Sequence, residues 1–267
     1  MTPDVYSHGH HESVLRSHRW RTAENSAAFL LPHLHPGLSI LDIGCGPGNI
    51  TAELASRVGD GIVIGVDLAK EVIEAAKRDF ESPAQRNLSF RVGDVYGLDF
   101  PDGEFDVVYA HQVLQHLGDP VVALVEMRRV LKSGGLLAIR DADFGAFAWS
   151  PEDPVLTRWM DVYHQITTRN HAQADAGRHL KSWVRAAGFE EFEVSSSNWT
   201  FYTPEERAWW GGLWADRIRL SEFARQAVEY RVANKAELAQ MSLAFEKWAS
   251  DADGVFIAVH GEVLARR

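Results

Sequence analysis

A mostly parallel β-sheet with helices on both faces follows from three features of this chain of 267 residues. Short apolar runs alternate with helix-like segments through its first half, the rhythm of strands joined by helical crossovers. Directly after the first run comes "DIGCGPG", Asp42 to Gly48, which crowds Gly44, Gly46, Pro47 and Gly48 together. Asp67 and Asp94 then close the second and third runs, at the edge where open α/β sheets bind ligands.

Five strands are read from "LSILDIG" (38–44), "GIVIGVD" (61–67), "LSFRVGD" (88–94), "FDVVYAH" (105–111) and "GLLAIRD" (135–141). All are short and rich in Ile, Val and Leu, as strands buried on both faces should be. Helices are expected over 49–58, 70–79 and 120–131, with "LKSGG" (131–135) as a helix exit. A long segment, 142–173, breaks the rhythm. A helix over 175–188, an alternating strand over 189–202, helical sequence over 204–250 and a last strand over 255–265 complete a seven-stranded sheet. The expected organisation is one domain, 1–267. It comprises an N-terminal helical extension (1–36), a glycine-rich half (37–141) and a half with helical insertions (142–267).

Composition narrows the function. Hydrophobic residues make up 46% and charged residues 24%, ordinary for a globular protein, and the formal charge is −10. An acidic balance disfavours a nucleic-acid backbone as partner. No apolar run reaches the length of a membrane span, and 1–11 has no signal-peptide pattern. Cys45 is the only cysteine, which excludes an intramolecular disulfide and a four-cysteine zinc site. A cytoplasmic protein acting on a small molecule, with neither nucleic acid nor membrane as partner, is the expectation. The oligomeric state is left open.

Glycines cost more backbone entropy on folding than other residues, so a cluster after a strand suggests close approach to a ligand. The dinucleotide fingerprint Gly-x-Gly-x-x-Gly/Ala fails here, because Asn49 occupies the third required position counted from Gly44. That disfavours a nicotinamide oxidoreductase. "DIGCGPG", Asp67 and the "VGD" of Gly93 and Asp94, in this order and spacing, resemble class I S-adenosylmethionine-dependent methyltransferases. The likeness is to the small-molecule type that includes quinone-biosynthesis C-methyltransferases, and it covers roughly residues 40–141.

The resemblance implies a Rossmann-like fold and S-adenosyl-L-methionine as cofactor, with S-adenosyl-L-homocysteine as product. It implies that Asp42, Gly44, Cys45, Gly46 and Gly48 surround the methionine and ribose parts. Asp67 would take the ribose hydroxyls, with Leu68 on the adenine, while Asp94 and the backbone of Val95 address the ring beside Gly93. "AHQVLQHL" (110–117) would bring His111 and Gln112 to the methionine end. Some relatives hold a divalent metal with Glu-x-x-Glu-His at this place. Here Gln112 and Gln115 stand for the glutamates, and neutral amides are poor Mg²⁺ ligands, so no metal is expected.

The acceptor side is read from aromatics and histidines. Eight of the nine tryptophans follow residue 145. Trp149, Tyr163 and Trp210 are candidates for the wall of an apolar cavity, though much of this aromatic content must be helix packing. His116 is either a packed histidine or a base, with His111 as a second candidate. The segment 7–27 carries four of the twelve histidines and reads as a lid over the cofactor, an inert arm or a metal-binding tail. A lid would use Arg19, Trp20 and Thr22, with Arg19 or Arg21 available for a carboxylate. The expected activity is methyl transfer to a small apolar or aromatic metabolite, at oxygen or carbon in preference. The alternative is a protein that binds the cofactor without transferring methyl.

Overall fold

The computed structural model describes residues 12–83 and 85–267, with side chains from Arg16 onward. The N-terminal part comprises α1 (Glu12–Arg19) and α2 (Ala23–Ser26). An alternating run follows: β1 (Ser39–Ile43), α3 (Asn49–Arg57), β2 (Ile62–Asp67), α4 (Lys70–Phe80), β3 (Leu88–Val92), β4 (Phe105–His111), α5 (Pro120–Val130) and β5 (Leu131–Ala142). The second half holds β6 (Ala148–Ser150), α6 (Pro154–Arg169), α7 (Ala176–Ala186), β7 (Glu191–Phe201), α8 (Pro204–Leu220), α9 (Glu222–Glu229), α10 (Lys235–Ser250) and β8 (Val255–Arg266). Several helices begin where their sequence says they must. Asp119, Asp153 and Thr203 cap the first turns of α5, α6 and α8, each followed by a proline that lacks the N–H a first turn leaves orphaned.

The sheet runs β3-β2-β1-β4-β5-β8, with β7 on the far edge of β8. β1 to β5 pair in parallel, and β8 runs antiparallel to β5 and β7. The chain order reverses between β1 and β4, so the carboxyl ends of these two strands open a crevice. One apolar layer packs α5 and α7 against the sheet, and another packs α3 and α4 against its opposite face. A third cluster, rich in tryptophan, joins α6, α8, α9 and α10 into a cap above the strand ends. Backbones approach closely between α7 and β8, where a Cβ on Gly261 would stand 2.2 Å from the carbonyl oxygen of Gly177.

Two expectations need correction. Among the described residues the sheet has eight strands, not seven: β6 pairs with Val255–Ile257 of β8 and prolongs the edge that β5 leaves at Ala142. Three residues are too few to carry a period, so no sequence signal marks them. "LKSGG" is no helix exit beyond 131. α5 stops at Val130 and Leu131 already belongs to β5, whose register against β4 shifts between Phe105 and Val107. No helix among the described residues is long and apolar enough to cross a membrane.

Candidate functional site

A cavity of about 800 Å³ opens at the carboxyl ends of β1, β2 and β4 and continues beneath the helical cap. Gly44 leaves β1 with φ of 65°, and a Cβ there would meet Val113 at 2.4 Å. Gly44, Cys45 and Gly46 line the cavity. Gly48 does not: its φ is 88°, and a Cβ would strike the ring of Phe90 at 2.7 Å. Two of the three glycines thus open backbone to the cavity, while the third makes room for packing under α3.

The carboxylates stand at successive strand ends. Asp42 is buried and accepts from the Thr51 hydroxyl at 2.6 Å; burial first, then the nearby Asp67, pushes its pKa up to about 7. Asp67 accepts from the backbone N–H groups of Gly46, at 3.1 Å, and Ala69, at 2.9 Å, and so ties the glycine loop to β2. Leu68 beside it is 68% exposed. Asp94 is exposed and accepts from the Tyr96 N–H at 3.0 Å; Gly93, Asp94 and Val95 all line the cavity. Cys45 is buried, and burial followed by Asp42 and Asp67 holds its thiol protonated, which makes it a filler rather than a nucleophile.

β4 delivers His111 and Gln112 to the centre of the cavity. Gln112 is a non-glycine residue at φ 55°, a conformation that costs about 1–3 kcal/mol and persists where neighbours over-determine it. Its neighbours do so. Arg21 Nη2 donates to its amide oxygen at 2.5 Å, and its amide nitrogen lies 2.8 Å from His260 Nε2. His260 Nδ1 lies 3.1 Å from the carbonyl of Ala258. The network assigns the proton of His260 to Nδ1, with Nε2 accepting from Gln112. Gln115 spends its side-chain oxygen on the Ala142 N–H at 3.1 Å and turns its nitrogen to His116 Nε2 at 3.0 Å.

All three histidines are held neutral. Burial lowers His111 and His260 well below the ordinary range, and Arg21 and Arg140 lower both further. His116 is pushed down to about 3, by burial, then by Arg21 and Arg217. His111 is 5% exposed, and neither ring nitrogen has a hydrogen-bond partner among the described residues. Behind them Asp141 is buried, its carboxylate accepting from the Gln115 N–H at 3.1 Å, and burial raises its pKa to about 7. Among the described residues no group of three His, Cys, Asp or Glu is placed to hold a metal; the histidines at 8, 10 and 11 lie outside them.

Part of the N-terminal segment reaches the cavity, with Arg21 the one residue among those expected there. Ser17, His18 and Arg21 line it. Arg19 is exposed and does not line it, Thr22 caps α2, and Trp20 packs behind the wall against Trp199 and Trp209, with ring centroids 5.2 and 5.0 Å away. Residues 7–11 of the expected lid lie outside the described residues. Of the three aromatics expected in the wall, only Trp210 lines it. Trp149 stacks on Phe256 outside the cavity, and Tyr163 stacks behind Phe144 with centroids 4.0 Å apart. The wall is Phe144, Phe147, Trp199, Trp210 and Trp214, and Arg217 and His260 join it without any signal in the sequence.

A family model described as "Methyltransferase domain" matches residues 34–194. An uncharacterized methyltransferase of Schizosaccharomyces pombe is 31% identical, covering 98% of this chain and 96% of its own length. The 2-methyl-6-phytyl-1,4-hydroquinone methyltransferase of a Synechocystis strain is 30% identical over 71% of this chain and 57% of its length. An O-methyltransferase of Penicillium expansum is 34% identical over 60% and 54%. Among solved structures, Bacillus subtilis YcgJ superposes with a TM-score of 0.59 at 20% identity, covering 90% of this chain and 97% of its own. The [4+2]-cyclase SpnF superposes with 0.54 at 21%, covering 99% and 89%. Likeness at this level of identity concerns the fold.

Proposed function

This chain belongs to the methyltransferase family, as an S-adenosylmethionine-dependent enzyme, and from that premise we propose that it methylates a small apolar or aromatic metabolite at oxygen or carbon, within one domain of residues 1–267. The observation that carries the reading is the continuity of the cavity. It runs from Asp67 and the glycine loop at one end to five aromatic rings at the other, with His111 between. The relatives named for a hydroquinone and for O-methylation support the substrate class.

The residues present fit the donor. Gly44 and Gly46 bring backbone without a side chain to the cavity, and Asp67 stands at the strand end where a ribose is received. Leu68 offers an exposed apolar face for the adenine, with Asp94 and Val95 at its edge. Arg21, above Gln112, is the cation for the amino-acid carboxylate. S-adenosylmethionine supplies an activated methyl group on a sulfonium sulfur. What remains for the protein is alignment and exclusion of water. The roof of Ser17, His18 and Arg21 and the aromatic wall exclude water. Aromatic faces also favour a sulfonium charge over bulk apolar surface.

His116 and His111 are the residues proposed to touch the acceptor's reacting group. As neutral imidazoles they accept a hydrogen bond or a proton at physiological pH, but a histidine held near 3 is a weak base. Their part is orientation more than deprotonation. The test has two stages. S-adenosylhomocysteine should raise the melting temperature, by ~2.7 kcal/mol of stabilisation at a hundredfold excess over its Kd, whereas NAD and NADP should not. Incubation with S-adenosylmethionine and a panel of phenols and hydroquinones should then release S-adenosylhomocysteine together with a methylated product. A protein that passes the first stage and methylates nothing is a binder of the cofactor and not a transferase for this class.

A further inference from the structure

Gln115 sits in the short turn Leu114–His116 and is committed at both backbone and both side-chain polar groups. Its N–H donates to the Asp141 carboxylate at 3.1 Å, and its carbonyl accepts from the Gln173 N–H at 3.0 Å. Its side-chain oxygen accepts from the Ala142 N–H at 3.1 Å, and its amide nitrogen lies 3.0 Å from His116 Nε2. Asp141 and Ala142 both belong to β5, so backbone and side chain alike latch this turn to the central sheet. Gln115 is 3% exposed, and both it and His116 line the cavity.

This geometry settles which nitrogen of His116 carries the proton. The backbone N–H of Ala142 can only donate, so the atom of the Gln115 amide that faces it is the oxygen. The amide therefore turns its NH₂ group to His116, and an NH₂ group can only donate, so Nε2 must offer a lone pair. Burial above all keeps the ring neutral. A neutral imidazole with a lone pair on Nε2 has its proton on Nδ1. Turning the amide over would set two donors against each other at Ala142, and the opposite tautomer would do so at His116; either leaves buried donors unsatisfied. Gln112 treats His260 in the same way, its oxygen fixed by Arg21 and its nitrogen 2.8 Å from Nε2.

We propose that Gln115 is a positioning residue that fixes His116 as the Nδ1–H tautomer, so that any hydrogen bond this ring makes to a methyl acceptor it makes as a donor. The role toward an acceptor rests on the methyltransferase reading above; the tautomer does not. The consequence is chemical. The lone pair that a general base needs is committed to the Gln115 amide, which removes His116 from the choice of base. A neutral imidazole N–H instead steadies negative charge on an acceptor oxygen without taking up a proton. It favours acceptors that carry an oxygen with lone pairs on their aromatic body, a hydroxyl or a carbonyl. An ionised carboxylate at 115 would accept from Ala142 and from Nε2–H alike and would reverse the assignment. The amide is what makes it one-sided.

Nitrogen-15 NMR on the full chain tests this without cofactor or acceptor, so its outcome is independent of whether the protein transfers methyl. Long-range proton–nitrogen correlation separates protonated from unprotonated ring nitrogens, and the His116 signals are those missing from His116→Gln. Near neutral pH, His116 should show a protonated Nδ1 and an unprotonated Nε2. Gln115→Met keeps a similar volume without a donor and should shift the proton, in whole or in part, onto Nε2. Gln115→Glu, which keeps the bond to Ala142, should place a proton on Nε2 as well. His260 serves as the folding control, because its Nδ1–H still donates to the Ala258 carbonyl in both variants and its pattern should not change. A proton on Nε2 of His116 in the unmodified chain, alone or together with one on Nδ1, overturns the proposal. So does a His116 pattern unchanged in both variants while that of His260 is intact. If neither variant folds, the unmodified chain still decides the tautomer.

Discussion

Arg21 donates to the side-chain oxygen of Gln112 at 2.5 Å, and this bond joins the N-terminal segment to the end of the central strand β4. Gln112 passes the connection on to His260 in β8, 2.8 Å away. The backbone of Arg21 also accepts from the Asn49 side chain at the start of α3. One residue of the roof is therefore coupled to both sides of the cofactor cavity.

Gln112→Leu removes both side-chain bonds while keeping a similar volume. Trypsin should then cut after Arg19 and Arg21 faster than in the unmodified protein, because local opening governs such cleavage. S-adenosylhomocysteine affinity should fall about tenfold, the scale of one charge-assisted hydrogen bond. Bound cofactor should slow cleavage in the unmodified chain. Identical digestion rates with and without cofactor would make the segment an inert arm.

Asp67→Ala should weaken cofactor binding by at least about tenfold, since bonds to a carboxylate are worth ~1.5–3 kcal/mol each. The loss has two sources. The carboxylate is itself the ribose ligand proposed above, and it holds the Gly46 N–H that shapes the glycine loop. Asp67→Asn keeps one oxygen for that N–H and should fall between. Calorimetry with circular dichroism as the folding control decides the matter, and unchanged affinity in the alanine variant would remove Asp67 from the site.

The histidines impose a pH dependence on stability. A histidine held neutral in the fold takes up a proton on unfolding, so its contribution is complete above ~6.5 and is lost as pH falls toward the depressed value, about 3 for His116. Asp42 and Asp141, raised to about 7, act in the opposite sense: their contribution is complete below ~3.8 and lost as pH rises through 7. The comparison with His116→Gln removes the carboxylates from the difference. Between pH ~6 and ~4, urea unfolding of the unmodified protein should lose about 1.4 kcal/mol per pH unit more than the variant. Equal slopes would mean that His116 titrates normally.

Gly261→Ala should destabilise the protein by about 1–3 kcal/mol, because the new Cβ meets the backbone of Gly177 rather than a side chain that can turn away. Gly177→Ala should do the same, with its Cβ 2.8 Å from the Gly261 nitrogen. Denaturant midpoints measure both. Unchanged midpoints would show that α7 can lift from β8 at no cost.

Much of the cofactor half was legible in the residues themselves. Strands over 38–44, 61–67, 88–94 and 105–111 emerge within two residues of their observed ends, and Asp67 and Asp94 fall at the expected edge. Apolar runs, glycine turns and strand-end acids are local features, and a parallel sheet translates them directly into positions at one edge. Gly48 shows the limit: its neighbour is Phe90, forty-two positions away, and nothing local separates it from Gly44 and Gly46.

The acceptor half was decided by pairing at a distance. Register between β7 and β8 sets Trp199 opposite Ala258 and Ser197 opposite His260, which puts Trp199 and His260 on one face with ring centroids 4.4 Å apart. A slip of β7 by one residue would turn Trp199 to the other face from His260, and no run of sequence encodes that register by itself. Arg217 reads in the sequence as one more charge on a helix, and it becomes a buried cation of the cavity where α1 packs over α8 and supplies Ser17. Trp149 and Tyr163 stand outside the wall while Phe144 and Phe147 stand in it, because the course of the chain after β5 and the packing of the cap, not residue type, select which ring meets the cavity. Composition determined that there would be an aromatic core; only the packing of the cap on the sheet decided which aromatics a ligand would touch.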